Sequence, residues 1–215
     1  MKRSILLTLT LCILTTAAAF SELFVDTGRP DGPNAVSLDS GGGFSASAFA
    51  AAFTTTTNYS LTQIDGFLRR PIVNGESQIT VAIYADDAGG NIPGSELYTI
   101  KYDVAHAGDP RYADHSWQLV SGLDWYLTAG THWVSFEVRG DDDYAGSMVM
   151  HSPTGLVNEV SRNASGWNDY DEVNIGVRLT GDVVPEPAVA LLFGTGLITA
   201  YVLRRNKKAA TDLDD

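Results

Sequence analysis

The stretch that decides the fold lies at residues 132–139 and reads His132-Trp133-Val134-Ser135-Phe136-Glu137-Val138-Arg139. Val134, Phe136 and Val138 are apolar, and each is followed by a polar side chain. A period of two places the apolar set on one face of a β-strand and the polar set on the other. The stretch therefore predicts a strand with one buried and one solvated face.

The same period recurs on both sides of this strand, at residues 79–84 and 173–180. Weaker strand candidates lie at 22–26, 34–38, 44–53, 59–68, 96–102, 115–120, 124–128 and 146–151. Turn sequences rich in Gly, Pro and Asp separate them. No uninterrupted window of helical period occurs between the two terminal segments. The pattern predicts an all-β fold, an antiparallel β-sandwich of jelly-roll type, over residues 20–181.

Composition excludes several classes of function. The 215 residues include 14 basic and 26 acidic side chains, which gives a formal net charge of −12. Residues 20–187 are more acidic still, with 8 basic and 23 acidic side chains. Such a surface argues against nucleic acid as a partner, because phosphates require a basic surface. The single cysteine, Cys12, excludes a disulfide framework and any multi-cysteine metal site.

The first 19 residues have the pattern of a secretory signal peptide. Lys2 and Arg3 precede an apolar run at residues 5–14, and small residues follow at Ala17 and Ala19. Signal peptidase recognises this order of charge, apolar run and small-x-small site. We predict cleavage after Ala19, so Cys12 is absent from the exported protein.

The other end of the chain has three parts. A linker at 182–187 contains Val184-Pro185-Glu186-Pro187, an apolar run covers 188–203, and residues 204–215 begin with Arg204, Arg205, Lys207 and Lys208 and end in an acidic tail. A helix of 16 residues is about 24 Å long, slightly short of the roughly 30 Å of a bilayer core. The basic cluster places its C-terminal end in the cytoplasm. An ordinary single-pass tail anchor is the alternative interpretation of this segment.

This order of Pro-Glu-Pro, apolar stretch and basic cluster resembles the PEP-CTERM sorting signal of Gram-negative bacteria. The resemblance implies recognition by an exosortase, a membrane protease that cuts near the Pro-Glu-Pro. It implies a precursor held in the inner membrane by the helix, then release to the cell surface or extracellular matrix. Proteins with this signal are associated with biofilm and exopolysaccharide.

The central region resembles the choice-of-anchor domains of bacterial surface proteins. The motifs that carry the resemblance are Phe53-Thr54-Thr55, Tyr59-Ser60-Leu61-Thr62, Val81-Ala82-Ile83-Tyr84-Ala85-Asp86-Asp87, Ile92-Pro93-Gly94-Ser95, Leu127-Thr128-Ala129-Gly130-Thr131-His132-Trp133, Gly166-Trp167 and Val177-Arg178-Leu179-Thr180-Gly181. The resemblance implies an extracellular β-sandwich and neither a reaction nor an established ligand.

Asp141, Asp142 and Asp143 are the candidate metal ligands. Clustered carboxylates in a loop can coordinate Ca²⁺, which takes six to eight oxygens. The spaced pattern of a calcium-binding loop is missing, however, and a solvated turn at a strand end accounts for the same residues. We favour the turn and expect no cofactor, with Ca²⁺ as the alternative.

Trp133 and Trp167 are the candidate glycan contacts, since aromatic rings stack on sugar faces. Trp133 is out of phase with Val134, so it belongs on the outer face of its sheet, which is wet unless a loop covers it. Trp117 is in phase with Leu119, and we expect it in the core. Packing between sheets and under loops is the alternative role for these aromatic residues.

No catalytic constellation is apparent. The four histidines share no metal-ligand spacing, and His132, in phase with Val134, is expected to face the core. Ser147 has no apparent base, and no nucleophile elbow accompanies Asp114-His115. We therefore predict a non-enzymatic, exported surface or matrix protein of structural or adhesive type, associated with exopolysaccharide. A Ca²⁺-dependent lectin-like module is the alternative, followed by a secreted hydrolase.

Overall fold

Twelve strands form among the residues that the structure describes, and alternating side chains account for most of them. The computed structural model describes residues 21–31, 35–38, 47–69, 77–88, 91–104, 115–149, 151–156, 158–163, 165–169 and 174–184. The strands are β1 (Ser21–Asp26), β2 (Ala35–Leu38), β3 (Ala48–Thr55), β4 (Tyr59–Arg69), β5 (Ser77–Asp86), β6 (Pro93–Val104), β7 (His115–Leu127), β8 (Gly130–Glu137), β9 (Gly146–Val149), β10 (Glu159–Asn163), β11 (Gly166–Asp169) and β12 (Val177–Val183).

The strands pair in two antiparallel sheets. In sheet A, β12 lies between β1 and β4, and β4 pairs on its other edge with β7. Sheet A is completed by β9, which pairs with β4 at Leu68 and with β2. Sheet B has the order β11-β10-β3-β8-β5-β6. Two antiparallel sheets that enclose one core form a β-sandwich, so the predicted all-β sandwich is confirmed.

The main core fills the space between the inner faces of the two sheets. Ile64 and Leu68 of β4 lie there with Val81 of β5 and with Val134 and Phe136 of β8. The face of β8 that lines this core is therefore the one that its sequence predicts. Burial of each such side chain contributes about 1.5–3 kcal/mol. The prediction that the other face is solvated is wrong, because Trp133, Ser135 and Glu137 are buried as well.

An aromatic contact joins the two sheets along one side of the sandwich. Tyr98 of β6 stacks on Trp125 of β7, with ring centroids 5.3 Å apart and planes 9° from parallel. The Tyr98 hydroxyl also donates a hydrogen bond to the Tyr126 carbonyl oxygen, at 2.9 Å. These contacts hold an edge strand of sheet B against an edge strand of sheet A.

The first and last strands of the described chain are neighbours. Ser21 at the start of β1 lies opposite Asp182 near the end of β12. β12 is hydrogen-bonded on both edges, whereas β1 pairs with β12 alone among the described strands. All twelve strands belong to one compact unit, Ala19–Val183.

Gly66 on β4 is required by the close approach of a core ring. A Cβ atom at this position would lie 2.4 Å from Cε1 of Phe136, a side chain that is itself buried. Because a packed ring cannot move aside, we expect Gly66→Ala to lower the free energy of unfolding by about 1–3 kcal/mol, measured by urea denaturation. The matched variant Phe136→Leu should recover part of this loss when the two are combined. Strictly additive effects would contradict the clash.

The observed strands differ from the predicted ones at three places. The candidates 115–120 and 124–128 are one strand, β7, whose register against β4 shifts around Gly122, a residue with φ of +75°. β12 begins at Val177, later than the alternation at 173–180 suggests. β10 and β11 lie where the sequence predicts no strand.

The predicted terminal segments lie outside the described residues. They are the signal peptide at 1–19, residues 185–187 of the linker at 182–187, the helix at 188–203 and the tail at 204–215. Within the part of the chain that the structure describes, no helix has the length and apolar character needed to cross a bilayer.

Candidate functional site

A second apolar cluster covers the centre of sheet B on its outer face. Its members are Ala50, Ala52, Ala82, Tyr84, Trp133 and Val160, with Ile92 and Trp167 packed against them. Trp133 has no exposed surface, and its Nε1 donates a hydrogen bond to Asp86 Oδ1 at 2.8 Å. Trp133 thus lies on the predicted face. The prediction that it contacts a glycan directly is wrong, because neighbouring side chains bury the ring.

Glu137 is a fully buried carboxylate next to this apolar cluster. Its Oε1 accepts hydrogen bonds from the Tyr84 hydroxyl at 2.7 Å and from the Ser135 hydroxyl at 2.8 Å. Its Oε2 lies 3.2 Å from Arg162 Nη1 and 3.5 Å from Arg139 Nε. Both contacts are ion pairs, but the N–H groups are not oriented toward Oε2 in the way that a hydrogen bond requires. Two guanidinium groups therefore balance one buried charge.

The two arginines connect Glu137 to the surface. Arg139 donates hydrogen bonds to Glu96 Oε2 at 2.7 Å and to Thr99 Oγ1 at 3.2 Å, both on β6. Arg162 lies over the ring of Trp167, with its guanidinium carbon 5.6 Å from the ring centroid. We call the set Tyr84, Glu137, Arg139, Arg162 and Trp167 the Glu137 cluster.

Tyr84 remains a neutral hydrogen-bond donor within the Glu137 cluster. Burial raises the pKa of Tyr84 well above its ordinary value, and its hydrogen bond to Glu137 raises the pKa further. Tyr84 also meets Trp167 edge to face, with ring centroids 5.9 Å apart. Trp167 is thus held in place by one aromatic ring and one guanidinium group while it stays partly exposed.

The loop that carries Asp141, Asp142 and Asp143 binds groups of the protein itself. The Lys101 ammonium group contacts Asp141 and lies 2.9 Å from Asp142 Oδ1. Asp142 Oδ2 accepts a hydrogen bond from the Thr80 hydroxyl at 2.7 Å, and Asp143 Oδ1 accepts one from the backbone N–H of Gln78 at 2.7 Å. The hydrogen bond from Lys101 lowers the pKa of Asp141 and raises that of Lys101.

This geometry supports the turn interpretation over a calcium loop, because a lysine occupies the position between two of the three carboxylates. The described residues contain no group of three or more His, Cys, Asp or Glu side chains with the geometry of a metal site.

His132 lies where the sequence predicts, whereas His115 makes a contact that the sequence does not predict. His132 is buried, and its Nε2 lies 2.8 Å from the Thr128 carbonyl oxygen, as expected for a core-facing side chain. His115 Nε2 lies 3.0 Å from Ser147 Oγ. The expectation that Ser147 lacks a base is therefore wrong. Ser147 is largely buried in β9, and the contact links β9 to β7 across the end of β4.

Trp117 lies on the outer face of sheet A, and the expectation of a core position is wrong. It is in phase with Leu119, as the sequence shows, but Leu119 is 51% exposed. The arginine Arg178 stacks over Trp117, with its guanidinium carbon 4.0 Å from the ring centroid.

Sequence reasoning missed the charged members of the Glu137 cluster. Glu137 and Arg139 share the phase of Trp133, which is a signal for a common outer face. Arg162 lies on β10, a strand that the sequence does not indicate, so no signal connects it to Glu137. Among the predicted sorting residues, Val184 is described and follows β12 without regular structure, and Pro185, Glu186 and Pro187 lie outside the described residues. The same holds for Ala17, Ala19, Arg204, Arg205, Lys207 and Lys208.

Comparisons with known proteins give only distant likenesses. A crystal structure of a ruminal GH26 endo-β-1,4-mannanase matches 80% of this chain at 10% sequence identity, with a TM-score of 0.36. The VP2 subviral particle of infectious bursal disease virus matches 87% of this chain at 13% identity, with a TM-score of 0.24. The chain spans 27% of the mannanase chain and 49% of the viral chain. No family model and no curated protein matches the chain.

Proposed function

We propose that the chain is an exported, non-enzymatic surface or matrix protein of a Gram-negative bacterium, of structural or adhesive type. The proposal includes a membrane-held precursor, processing by an exosortase, and association of the jelly-roll-like domain with exopolysaccharide. The sorting signal in the sequence supports the route. The Glu137 cluster supports the binding role, because it fixes a partly exposed tryptophan on a rigid sheet.

The observation that carries the binding role is the position of Trp167. A half-buried indole ring with a guanidinium group over it offers an apolar surface beside hydrogen-bond donors. Sugars present the matching combination of apolar ring faces and hydroxyl groups. Two hydroxyl groups donate hydrogen bonds to Glu137 Oε1 and two guanidinium groups lie beside Oε2, so both oxygens already face groups of the protein. The cluster is therefore better suited to binding than to proton transfer.

The Ca²⁺-dependent lectin is disfavoured by the Asp141–Asp143 loop. Lys101 supplies the positive charge that a calcium ion would bring, and Thr80 and Gln78 satisfy further carboxylate oxygens. Binding Ca²⁺ there requires the lysine to leave two carboxylates at once.

Cell fractionation and intact mass test the export route in the organism that encodes the protein. We expect the mature chain to begin at residue 20, to end near Pro187 and to be found outside the inner membrane. A full-length chain retained in the membrane would contradict processing and indicate a tail-anchored protein.

Trp167→Ala is expected to weaken retention on the organism's own polysaccharide by about three- to tenfold, since a stacking surface of this kind contributes about 1 kcal/mol. Affinity electrophoresis measures this effect, and thermal melting verifies the fold. Trp167→Phe keeps a smaller ring and should give an intermediate value. Tyr126→Ala removes an exposed aromatic side chain from the other sheet and serves as the control. Equal retention of Trp167→Ala and the wild type would remove the binding role.

A further inference from the structure

A group of aromatic rings lies on the outer face of sheet A, opposite in the sandwich to the Glu137 cluster. Phe67 of β4 pairs in register with Trp117 of β7, and their rings meet edge to face at 5.3 Å. His115 stacks on Phe67 at 6.2 Å. All three point away from the core, because Ile64 and Leu68 of β4 occupy the inner face.

Two arginines lie over these rings. The guanidinium carbon of Arg178 is 4.0 Å from the Trp117 centroid, and that of Arg29 is 5.6 Å from the Phe67 centroid. We call Arg29, Phe67, His115, Trp117 and Arg178 the Trp117 patch. Arg29 is exposed and Arg178 keeps about a third of its side-chain surface, 34%. Guanidinium groups held on ring faces retain N–H donors at their edges.

The charge of the patch contrasts with the rest of the domain. Residues 20–187 contain 8 basic and 23 acidic side chains. On sheet B, Lys101, Arg139 and Arg162 are each paired with a buried carboxylate. Arg178 pairs with the partly exposed Asp26 at 3.1 Å, and within the described residues Arg29 has an aromatic ring and no carboxylate as its contact. The patch therefore presents two guanidinium groups on a polyanionic protein, with Asp26 and Asp65 as the acidic neighbours of Arg178.

We propose that the Trp117 patch binds a polysaccharide that bears carboxylate groups. A planar guanidinium fork matches a carboxylate in a bidentate manner, and the part of the Trp117 ring that stays exposed beside Arg178 offers an apolar surface for the sugar ring. The acidic remainder of the domain repels a polyanion, so binding is confined to this face. The inference rests on the proposed function in taking a polysaccharide as the partner, and it adds the chemical class of the sugar and a second face.

The experiment measures binding of the full-length protein in mild detergent to polygalacturonate, to neutral dextran and to dextran sulfate. We expect binding to polygalacturonate that weakens at high salt, and no binding to dextran. Arg178→Gln should weaken polygalacturonate binding about tenfold, the usual effect of losing a hydrogen bond to a charged group. Wild-type affinity in Arg178→Gln would overturn the proposal.

A pair of charge-matched variants separates the patch from net charge. Asp26→Asn frees Arg178 from its acidic partner, and the new amide oxygen can still accept the Gly28 amide hydrogen bond that Asp26 accepts. We expect it to strengthen binding about threefold, within the range of an exposed ion pair. Asp103→Asn makes the same change in charge on β6 of sheet B, where Asp103 accepts a hydrogen bond from Gln78, and should leave binding unchanged. Equal gains in both variants would overturn the proposal.

Three further outcomes separate the carboxylate preference, the role of the Trp117 patch and the proposed function. Dextran sulfate that binds as tightly as polygalacturonate would replace the carboxylate class with general polyanion binding. A protein that reaches the cell surface and binds its polysaccharide through Trp167, with no effect of Arg178→Gln, would refute this inference and leave the proposed function intact. Arg178-dependent binding in a protein that is never exported would do the reverse.

Discussion

Glu137→Gln is expected to lower the free energy of unfolding by about 3 kcal/mol, the loss typical of removing one partner from a buried ion pair. The side chain of Glu137 is fully buried, and it balances Arg139 and Arg162 while it accepts hydrogen bonds from Tyr84 and Ser135. An amide at this position keeps the size of the side chain but turns donors toward two guanidinium groups. Urea unfolding with linear extrapolation measures the change.

Glu96→Gln is the matched control for Glu137→Gln. Glu96 pairs with the same Arg139, but about a third of its side chain is exposed, 35%. Exposed ion pairs contribute about 0–1 kcal/mol, so this variant should unfold close to the wild type. Equal losses in the two variants would show that burial of Glu137 adds nothing and that the cluster is an ordinary surface network.

The second large effect concerns Glu159, and it has the opposite sign. Glu159 is buried in β10, and burial raises its pKa to about 8 from an ordinary value of 4.5, although hydrogen bonds from the Ile175 and Leu156 backbones act against the shift. Between these two pH values the folded protein holds a proton that the unfolded chain has lost. The contribution of Glu159 to the free energy of unfolding is therefore fully present below pH 4.5 and declines as the pH rises toward 8.

Glu159→Gln should remove this decline. At pH 7 the variant is expected to be more stable than the wild type by about 3 kcal/mol, since one pKa unit corresponds to about 1.4 kcal/mol. Urea midpoints between about pH 4.5 and 9 measure the difference, which should vanish at the acid end of the range. Asp103→Asn, which changes an exposed carboxylate, is the control. A constant difference across the pH range would contradict a protonated Glu159.

The sequence predicts well which side chains of a strand share a face. It predicts less well which of the two faces points into the core. Alternation in β8 identifies the face that lines the main core and places Trp133 on the other face, but it does not show that the second face is buried too. For β7 the alternation correctly pairs Trp117 with Leu119, but it cannot say which face is inward. The register shift at Gly122 changes the phase, so the core residue Leu127 is no guide to residues before the shift.

Contacts between distant residues explain what the sequence leaves out of the candidate site. Lys101 meets Asp142 from a strand 41 positions earlier, and this contact makes the acidic loop a structural element. His115 reaches Ser147 from the opposite edge of β4, although no spacing connects the two residues. β10 and β11 are short and partly polar, so their residues carry no alternation strong enough to predict strands. The pairing of β10 with β3 is what brings Arg162 to Glu137.

The position of β12 has a mechanical consequence for a protein held by its C-terminal end. Hydrogen bonds of an antiparallel ladder run perpendicular to the strands, so a pull along a strand loads the whole ladder in shear. Tension applied beyond Val183 acts on β12, where the ladders to β1 and β4 share the force. Tension applied at Ser21 acts on β1, which has one ladder among the strands that the structure describes. A C-terminal attachment therefore pulls the domain by its more strongly held end.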